Sequence, residues 1–427
     1  MKIAYVTLGC KVNHYETQAM QELFQSAGWT AVPFGEPCDA VVINTCSVTQ
    51  MSDKKSRQLI SRAHRDCPEA LIVVTGCYAQ TAAESVKALP GVGLVVGNEG
   101  KSEIVRLVTE ALEGLEAPAV TDILKARSFE ELSAIRDGRT RACLKIQDGC
   151  CNYCTYCIIP YARGPIRSRT PESCERELRR LAEEGFREVV LTGIHLASYG
   201  LDFPADENGK KPELIDILKI ADGIPGLERI RIGSLEPKYC TERVANAIAA
   251  MPHVCRQFHL SLQSGSDTVL KRMKRRYTTA EFEQAVNALR AAMPDCAITT
   301  DVIAGFAGET EEEHRESLAF CEKIGFARMH CFPYSRRPGT VADKMDGQLG
   351  KAVKEARCKE LIALGEKLEA AYIDRFLGTV QTVIAEDDGT GYTGNYIRVR
   401  CGGNEGEERT VRLTAREKDI AIGEPVR

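Results

Sequence analysis

Four cysteines within eight consecutive positions constrain this chain more than any other feature: Cys150, Cys151, Cys154 and Cys157. Two metal-binding spacings are possible. The even C-x-x-C-x-x-C spacing that begins at Cys151 is that of bacterial ferredoxin runs, but such runs continue with a fourth Cys followed by Pro, and Tyr161 occupies that position here. The other spacing, C-x-x-x-C-x-x-C from Cys150, ends on three thiolates. Three ligands on a four-iron cluster leave one iron open to a cosubstrate.

A zinc knuckle and a patch of buried thiols are the simpler alternatives for this stretch. Free Cys is often a small core hydrophobe, but the intervening Asn152, Tyr153 and Thr155 are not typical of a buried strand. A length of 427 residues with 18 clustered cysteines favours metal chemistry in a reducing cytosol over a secreted disulfide scaffold. No apolar run reaches the length of about 18 residues that a membrane span needs. We therefore expect a soluble, cytoplasmic protein with no membrane partner.

Three further cysteines each follow an apolar run near the start of the chain: Cys10, Cys46 and Cys77. Helical patterns alternate with these runs, which predicts a parallel α/β sheet of flavodoxin-like type over residues 1–115. The three thiols would lie at the carboxyl edge of neighbouring strands, where open α/β sheets bind ligands. We expect them to converge on one cluster.

A mixed stretch over residues 116–139 is predicted to be a linker. The strand–helix units that follow predict an open, partial (β/α)6 barrel over residues 140–350, with its chemistry at the carboxyl ends of the strands. Candidate cofactor-binding residues at those ends are Thr192, Gly193, Ser234, Glu236, Gln263 and Asp301.

The last part of the chain changes character. Residues 351–377 have a helical pattern and are predicted to form a connecting helix. Residues 378–427 are rich in glycine and β-branched residues and show period-two alternation, which predicts a small antiparallel β-barrel. Acidic residues outnumber basic ones in this segment, so any RNA binding would use one face of it.

The formal net charge of −4 gives the whole molecule no general attraction for nucleic acid. Binding to RNA phosphate must then come from local basic patches, although such runs are often only solvated faces. The candidate RNA-binding residues in two basic runs are Arg163, Arg167, Lys271, Arg272, Lys274 and Arg275.

Several stretches together resemble the radical S-adenosylmethionine methylthiotransferases over essentially the whole chain. They are the cysteine loop with ARGP at 162–165, TLGCKVN at 7–13, NTC at 44–46, TGCYAQ at 75–80, LTG at 191–193 and HLSLQSGS at 259–266. Residues 8–13, 194–195 and 395–396 are most similar to the branch that acts on N6-threonylcarbamoyladenosine at position 37 of tRNA. Ala307 stands where the family turn more often has Pro.

The resemblance implies two [4Fe–4S] clusters and S-adenosylmethionine as cofactors. Cys150, Cys154 and Cys157 would hold the radical cluster, with Cys151 a bystander. The open iron would bind S-adenosylmethionine, whose cleavage gives a 5′-deoxyadenosyl radical that takes hydrogen from carbon 2 of the target adenine. By the same resemblance, Cys10, Cys46 and Cys77 would hold a second cluster that carries sulfur, and a second S-adenosylmethionine would supply the methyl group.

Other roles also come from the resemblance. Thr192 and Gly193 would contact the methionine part of S-adenosylmethionine, and Ser234 and Glu236 its ribose or carboxylate. Tyr156 would pack near the adenine or shield the cluster. The final segment would be a TRAM-type barrel, the substrate partner the anticodon stem-loop of tRNA, and the reductant an external low-potential electron donor. The target adenosine would have to leave the loop to reach the radical.

Three alternatives stay open at this point. A related branch of the family modifies an aspartate of a small-subunit ribosomal protein, and the mildly acidic last segment is compatible with it. A non-enzymatic iron–sulfur electron carrier would hold fully ligated clusters that ignore S-adenosylmethionine. A plain RNA-binding zinc protein would contain zinc and no iron.

Overall fold

The computed structural model describes residues 1–116, 118–134 and 141–426. Its first part is a parallel sheet in the order β2-β1-β3-β4-β5, which is the flavodoxin-like strand order. The elements are β1 (Lys2–Thr7), α1 (Lys11–Ser26), β2 (Thr30–Ala31), β3 (Ala40–Thr45), α2 (Gln50–Asp66), β4 (Leu71–Gly76), α3 (Cys77–Thr81), α4 (Ala83–Lys87), β5 (Val92–Val95) and α5 (Ile104–Leu112). The predicted parallel α/β domain is confirmed.

Alternation along the strands divides the core of this domain into two layers. Val42 faces α1 and α5 on one side, whereas its neighbours Val41 and Ile43 face α2 and α4 on the other. Because helices cover both faces, β3 is buried at every residue. The two-residue edge strand β2 is too short to give a sequence signal and was not predicted.

The middle of the chain is a partial barrel with the elements β6 (Arg141–Asp148), α6 (Ile159–Arg163), β7 (Arg167–Ser168), α7 (Pro171–Glu183), β8 (Glu188–Gly193), α8 (Leu214–Asp222), β9 (Arg229–Ile232), α9 (Glu242–Ala249), β10 (Gln257–His259), α10 (Asp267–Arg272), α11 (Thr279–Ala292), β11 (Ala297–Ala304), α12 (Glu311–Ile324) and β12 (Arg328–Pro333). The strands form a sheet β7-β6-β8-β9 and a sheet β10-β11-β12, joined by isolated parallel bridges. Only β7 is antiparallel. The predicted open barrel of six parallel strands is confirmed.

Helix starts in the barrel follow local capping chemistry. Thr278 with Glu281 and Thr310 with Glu313 form reciprocal capping boxes that begin α11 and α12. Each box satisfies two amides that would otherwise lack a partner. Thr310 therefore fixes where the loop at the carboxyl end of β11 stops, and Thr278 fixes where the segment between α10 and α11 stops.

The chain ends in the long helix α13 (Lys351–Asp374) and a closed barrel of β13 (Val380–Ala385), β14 (Thr390–Thr393), β15 (Arg398–Arg400), β16 (Glu408–Glu417) and β17 (Ile420–Pro425). The predicted small barrel is confirmed, and one of its strand pairs, β15 with β17, is parallel. Arg229 at the start of β9 donates to the carbonyls of Thr382 and Tyr392, both at 2.7 Å. The small barrel thus closes the end of the partial barrel opposite its mouth.

The predicted linker 116–139 lies partly outside the described residues, which omit 117 and 135–140. Its described part packs between the first domain and the partial barrel. The Tyr15 hydroxyl donates to the carbonyl of Leu132, and Gln80 donates to that of Thr121 at 2.9 Å. This segment therefore helps to hold the two domains against each other.

Candidate active site

The four-cysteine stretch is a loop between β6 and α6, at the carboxyl end of the first barrel strand. Gly149 begins it with a φ of 73°, and a Cβ there would lie 1.8 Å from the carbonyl oxygen of Pro165. Only glycine fits that position. The amide of Thr155 donates to the carbonyl of Met273 at 3.0 Å. The chain itself therefore sets the shape of the loop.

One arginine reaches this loop from the end of α10. Nη1 of Arg275 lies 3.3 Å from Sγ of Cys154, and its Nη2 lies 3.4 Å from the carboxylate of Glu236. Glu236 also lies 2.9 Å from Nε2 of His195 and accepts from Asn152 at 3.4 Å. Burial opposes ionisation of Glu236, but His195 and Arg275 outweigh it and hold its pKa below the ordinary value. The cation at Cys154 is thus neutralised by a carboxylate of its own.

The thiols of this loop fit an iron–sulfur cluster by their chemistry. Burial raises the pKa of Cys150 to about 11 and that of Cys157 to about 12, and the neighbouring Cys154 sulfur adds to both increases. Both thiols therefore resist ionisation in the metal-free protein. A cationic iron centre would reverse this effect, because a metal ion stabilises the thiolate that coordinates it. Cys151 is exposed, and its carbonyl accepts from Arg276 at 3.3 Å.

The three N-terminal cysteines follow three neighbouring strands, β1, β3 and β4, whose last residues pair with one another. Cys46 and Cys77 directly follow β3 and β4 and are buried, whereas Cys10 precedes α1 and is exposed. A Cβ at Gly9 would lie 2.8 Å from Cβ of Cys46, so the Cys10 turn approaches the Cys46 turn closely. The structure therefore brings these three turns together at one sheet edge.

The sulfur of Cys77 accepts from two buried donors. Nε of Arg163 lies 3.3 Å from it and Nδ2 of Asn98 lies 3.7 Å from it. Arg163 ends α6, directly after the cysteine loop, so the second domain supplies a contact to the first. Its Nη2 donates to Oδ1 of Asn13 at 2.7 Å, and both of its terminal nitrogens contact Glu16.

A buried ionic network continues from this contact. It contains four cations and two carboxylates: Lys101, Lys145, Arg163, Arg167, Glu16 and Asp148. None of these side chains is more than 4% exposed. Burial opposes ionisation of both carboxyl groups, but the surrounding cations outweigh it and hold the pKa of each well below its ordinary value. Positive charge is therefore in excess by two in this network.

A cavity of about 790 Å³ runs through the inside of the partial barrel and is shared by all three domains. The first domain contributes Cys10 and Lys11 at the mouth, and the small barrel contributes Glu386 and Tyr396 at the other end. Residues of the barrel strands line the space between: Cys143, Val190, Thr192, Arg231, Gln257, His259, Thr299, Asp301 and His330. The sheet edge at Cys10 and the interior of the partial barrel thus open onto the same cavity.

The wall formed by β10, β11 and β12 is polar. His259 contacts Thr299 through Nδ1 at 3.1 Å and Asp301 through Nε2 at 3.4 Å. The ring of His330 lies 6.2 Å from that of His259. Burial lowers the pKa of His330, Asp301 opposes this, and Lys11 is near enough to lower it further. This wall therefore presents two histidines and an aspartate to the cavity, with Lys11 of the first domain close to it.

Most of the predicted cofactor-binding residues surround this space. Thr192, Gly193, Ser234 and Asp301 line the cavity, and Glu236 lies beside the cysteine loop. The remaining two are placed differently. Tyr156 packs edge-on against Phe306, with 6.3 Å between ring centroids. Gln263 has a φ of 70° and forms a backbone bridge to Val302 after β10.

The structure corrects the prediction for three of the six RNA-binding residues. Arg163 and Arg167 are buried in the ionic network, and Arg275 is held between Cys154 and Glu236, so none of them can reach a phosphate. These three predictions are wrong. Arg272 is half-buried and forms a bidentate ion pair with Glu313, at 2.6 and 2.9 Å.

The two lysines of the second run are exposed, Lys271 on α10 and Lys274 just after it. Thr155 of the cysteine loop bonds to the carbonyls of Arg272 and Met273, which lie between them. Both lysines therefore flank the loop at the mouth of the barrel.

Sequence reasoning missed the roles of several residues in this site. They are Lys11, Asn152, His195, His259 and His330. The position of His195, just after the strand end at Gly193, was an available signal. The others are recognised only when strands distant in sequence are brought side by side.

Among the described residues, no three His, Cys, Asp or Glu side chains form a group that could hold a single metal ion. A cluster distributes its thiolates over several irons, so its ligands need not meet at one ion. In the described part of the chain, every helix is too short or too polar to cross a membrane.

Two family models match the chain. The model of the radical SAM superfamily covers residues 144–321, and that of uncharacterized protein family UPF0004 covers residues 2–97. The first match falls on the partial barrel and the second on the N-terminal sheet. Both cysteine sets lie inside the matched ranges.

Curated relatives align along nearly the whole chain. Threonylcarbamoyladenosine tRNA methylthiotransferase MtaB of Bacillus subtilis is 43% identical, with 94% of this chain and 91% of that protein covered. The protein of the same name from Aquifex aeolicus is 37% identical, with 97% and 100% covered. The tRNA-2-methylthio-N(6)-dimethylallyladenosine synthase of Pelotomaculum thermopropionicum is 34% identical, with 92% and 88% covered.

Among solved structures, the radical S-adenosylmethionine methyltransferase TsrM of Kitasatospora setae superposes with a TM-score of 0.60 at 15% identity. The match covers 80% of this chain and 76% of that one. At such low identity the likeness concerns the fold alone.

Proposed function

Because the chain belongs to the radical S-adenosylmethionine methylthiotransferase family, we propose that it methylthiolates carbon 2 of the adenine in N6-threonylcarbamoyladenosine at position 37 of tRNA. Two relatives with that substrate in their name are 43% and 37% identical. Another, 34% identical, is named for dimethylallyladenosine. The candidate substrates differ in the group on N6, which is anionic and rich in hydrogen-bonding atoms in one case and a hydrocarbon in the other.

The polar wall of the barrel cavity is the observation that carries this choice. The threonylcarbamoyl group has a carboxylate, a hydroxyl and a urea, which can pair with Lys11, His259 and His330. A dimethylallyl group has no polar atoms to pair with these side chains, and sites built for hydrogen bonding reject such analogues strongly. Charge and hydrogen bonding therefore favour the threonylcarbamoyl substrate.

Membership of the family makes the chain an enzyme that uses S-adenosylmethionine and a [4Fe–4S] cluster, which excludes the simple electron-carrier alternative. When bound, this pair supplies a carbon-centred radical. In the proposal Cys150, Cys154 and Cys157 hold the cluster, and Cys10, Cys46 and Cys77 hold a second one that provides sulfur. A second S-adenosylmethionine provides the methyl group.

The surrounding residues position these groups. Arg275 donates to the Cys154 sulfur, and Glu236 with His195 fixes the guanidinium in place. Thr192 and Gly193, at the end of β8 on the cavity wall, are placed to contact the methionine part of S-adenosylmethionine. Cys10 and the strand-end residues Thr192 and Gly193 line the same cavity, so in the proposal a single bound adenine meets the radical and the sulfur there.

The proposal assigns one task to each part of the chain. Residues 1–115 hold the sulfur-carrying cluster, residues 140–350 carry the radical chemistry, residues 351–377 connect, and residues 378–427 form a TRAM-type barrel. The tRNA anticodon stem-loop would approach the mouth, where Lys271 and Lys274 are exposed. The target base must leave its stack to enter the cavity. Electrons come from an external low-potential donor in the cytoplasm.

The test compares two RNA substrates on the reconstituted protein with S-adenosylmethionine and a reductant. One anticodon stem-loop carries threonylcarbamoyladenosine and the other dimethylallyladenosine, and nucleoside mass spectrometry measures the methylthio product. We expect product from the first RNA only, and none from Cys150→Ala or Cys46→Ala. The exposed neighbour Cys151→Ala is the matched control and should retain activity.

Cells lacking the gene provide the second arm. Their tRNA should lose the methylthio form of threonylcarbamoyladenosine and regain it with the wild-type gene. Product from the dimethylallyl RNA would contradict the proposed substrate. An unchanged tRNA profile, together with loss of a methylthio group from a small-subunit ribosomal protein, would favour the ribosomal alternative.

A further inference from the structure

The buried ionic network behind Cys77 has a charge pattern that the reaction scheme does not explain. Four cations face only two carboxylates, and all six groups are removed from water. An uncompensated buried charge is costly unless an opposite charge lies close by. Glu130, which is partly exposed, is a third carboxylate that acts on Lys101, but the cationic side chains still outnumber the carboxylates. This surplus indicates that an anionic group belongs beside the network.

The contact geometry shows where that anionic group lies. Nε of Arg163 is directed at Sγ of Cys77 at 3.3 Å, while its other nitrogens are occupied by Asn13, Glu16 and Asp148. Asn98 adds a second buried donor to the same sulfur, and its Oδ1 accepts from Lys101 at 2.7 Å. Both donors are thus held in place by the network and point at one sulfur.

We propose that Arg163 is a positioning residue for the N-terminal cluster, which donates to the Cys77 thiolate and, with the cation excess behind it, raises the reduction potential of that cluster. This inference rests on the proposed function, because it takes Cys77 as a cluster ligand. Hydrogen bonds to sulfur and nearby positive charge both stabilise the reduced, more negative state of an iron–sulfur cluster. Low solvent access strengthens both effects.

The position of Arg163 in the chain gives its contact with Cys77 a second consequence. The residue ends the helix that follows the radical cysteine loop, and its guanidinium also contacts Asp148, which precedes that loop. One side chain therefore joins the ends of the radical loop to a ligand of the other site. Arg163 thus links the two cysteine sites directly.

The experiment uses full-length protein in which Cys150, Cys154 and Cys157 are all replaced by alanine, so that only the N-terminal site can hold a cluster. Anaerobic reconstitution is followed by measurement of iron and sulfide, and by a redox titration monitored by electron paramagnetic resonance. The variants are Arg163→Met, Arg163→Lys and Lys101→Met. Arg106→Met, an exposed arginine of the same domain paired with Glu103 and Glu110, is the control.

We expect Arg163→Met to shift the midpoint potential to more negative values and to change the spectrum of the reduced cluster. Arg163→Lys keeps the charge and should recover part of the shift. Lys101→Met removes one buried charge without touching a sulfur and should give a smaller shift in the same direction. Arg106→Met should match the parent.

Several outcomes would overturn the inference. If Arg163→Met retains its iron and shows the potential and spectrum of the parent, the arginine does not act on the cluster. If Arg163→Met loses its iron, Arg163→Lys and Lys101→Met carry the test, and potentials equal to the Arg106→Met control would refute the proposal. If the parent protein itself binds no cluster, the two-cluster assignment fails, which is a different result.

Discussion

The two cysteine sites both place an arginine 3.3 Å from a thiol sulfur, but the charges around that arginine differ. At Cys154 the guanidinium of Arg275 has its own carboxylate, Glu236, and both side chains are partly exposed, at 9% and 13%. At Cys77 the guanidinium of Arg163 belongs to a fully buried network with two positive charges in excess. A neutralised arginine orients a ligand, whereas an arginine in a cation excess also changes the charge that the ligand feels. The contact between an arginine and a cysteine sulfur therefore has a different role at each of the two sites.

The largest expected effect separates the two sites by their chemistry. Replacing Cys150, Cys154 and Cys157 by alanine should abolish cleavage of S-adenosylmethionine, because the open iron that binds it is lost. Replacing Cys10, Cys46 and Cys77 should leave cleavage to 5′-deoxyadenosine measurable but abolish methylthio product. Chromatography of the nucleosides, with iron analysis, gives both readouts. Equal loss of cleavage in both triple variants would show that the sites cannot be treated as separate.

Folding stability of the metal-free protein should distinguish the two sites next. Glu16→Gln leaves Arg163, Lys101 and Lys145 without their shared carboxylate and should cost about 3–5 kcal/mol, as broken buried pairs do. Glu236→Gln, whose side chain is 13% exposed, should cost about 1–3 kcal/mol. Urea unfolding measures both. Glu103→Gln, from an exposed surface pair, is the control and should cost less than about 1 kcal/mol.

The same carboxyl group predicts the sign of a pH effect. The pKa of Glu16 is held well below its ordinary value in the folded protein, because three cations outweigh the effect of burial. Its stabilising contribution is therefore complete above the unfolded-state value of about 4.3 and is lost as pH falls below it. The difference in unfolding free energy between wild type and Glu16→Gln should shrink with acidification in this range. A constant difference down to pH 3 would contradict the assignment.

The role of Arg275 beside Cys154 can be tested by comparing its replacement with that of the neighbouring Arg276. Arg275→Met removes the contact to Cys154 and should lower cluster affinity or S-adenosylmethionine cleavage by about 10- to 100-fold, the usual cost of losing a partner of a metal ligand. Arg276→Met is the matched control, since its side chain contacts only the carbonyl of exposed Cys151 among the contacts seen here. Cleavage assays at several iron loadings separate the two causes. An unchanged rate of S-adenosylmethionine cleavage in Arg275→Met would show that the contact with Cys154 has no function in this reaction.

The sequence predicted the cysteines of both sites but not what distinguishes the sites. Spacing alone marks Cys150, Cys154 and Cys157, and strand ends mark Cys10, Cys46 and Cys77, because both signals are local. The local sequence around a basic residue such as Arg163 does not show whether its side chain faces water or a buried carboxylate. Its partner Glu16 lies on a helix of another domain, and Arg275 likewise meets Glu236 from a distant loop.

The fold was predictable for the same reason that the network was not. Strands that are buried on both faces, such as β3, have an apolar pattern that is visible in a short window. The edge strand β2 has two residues and no pattern, and the parallel pairing of β15 with β17 depends on closure of the whole barrel. Local patterns thus predict elements, while pairings across domains need the folded chain.

Replacing Lys11, which lines the barrel cavity, should have a smaller effect. Lys11 follows Cys10, a proposed cluster ligand, and faces the polar wall of His259 and His330. Lys11→Ala should weaken binding of a stem-loop with threonylcarbamoyladenosine by about 10-fold, which is the loss of one exposed charge-assisted hydrogen bond. Fluorescence anisotropy measures it, with the same RNA carrying unmodified adenosine as the reference. Equal weakening for both RNAs would show that Lys11 contacts the backbone and not the N6 group.

The smallest effect contrasts the exposed lysines with the buried arginines that the sequence placed in the same class. Lys271→Ala and Lys274→Ala should each weaken tRNA binding a few-fold and reduce the slope of log affinity against log salt by about one, since each removes one phosphate contact. Lys219→Ala, which replaces an exposed lysine of α8, is the control and should leave the slope unchanged. If neither lysine changes the slope, the tRNA backbone approaches the mouth from another side. Because Arg163 and Arg167 have no access to water, their replacement should leave the slope unchanged while disturbing the cluster, and this keeps the two kinds of basic residue experimentally distinct.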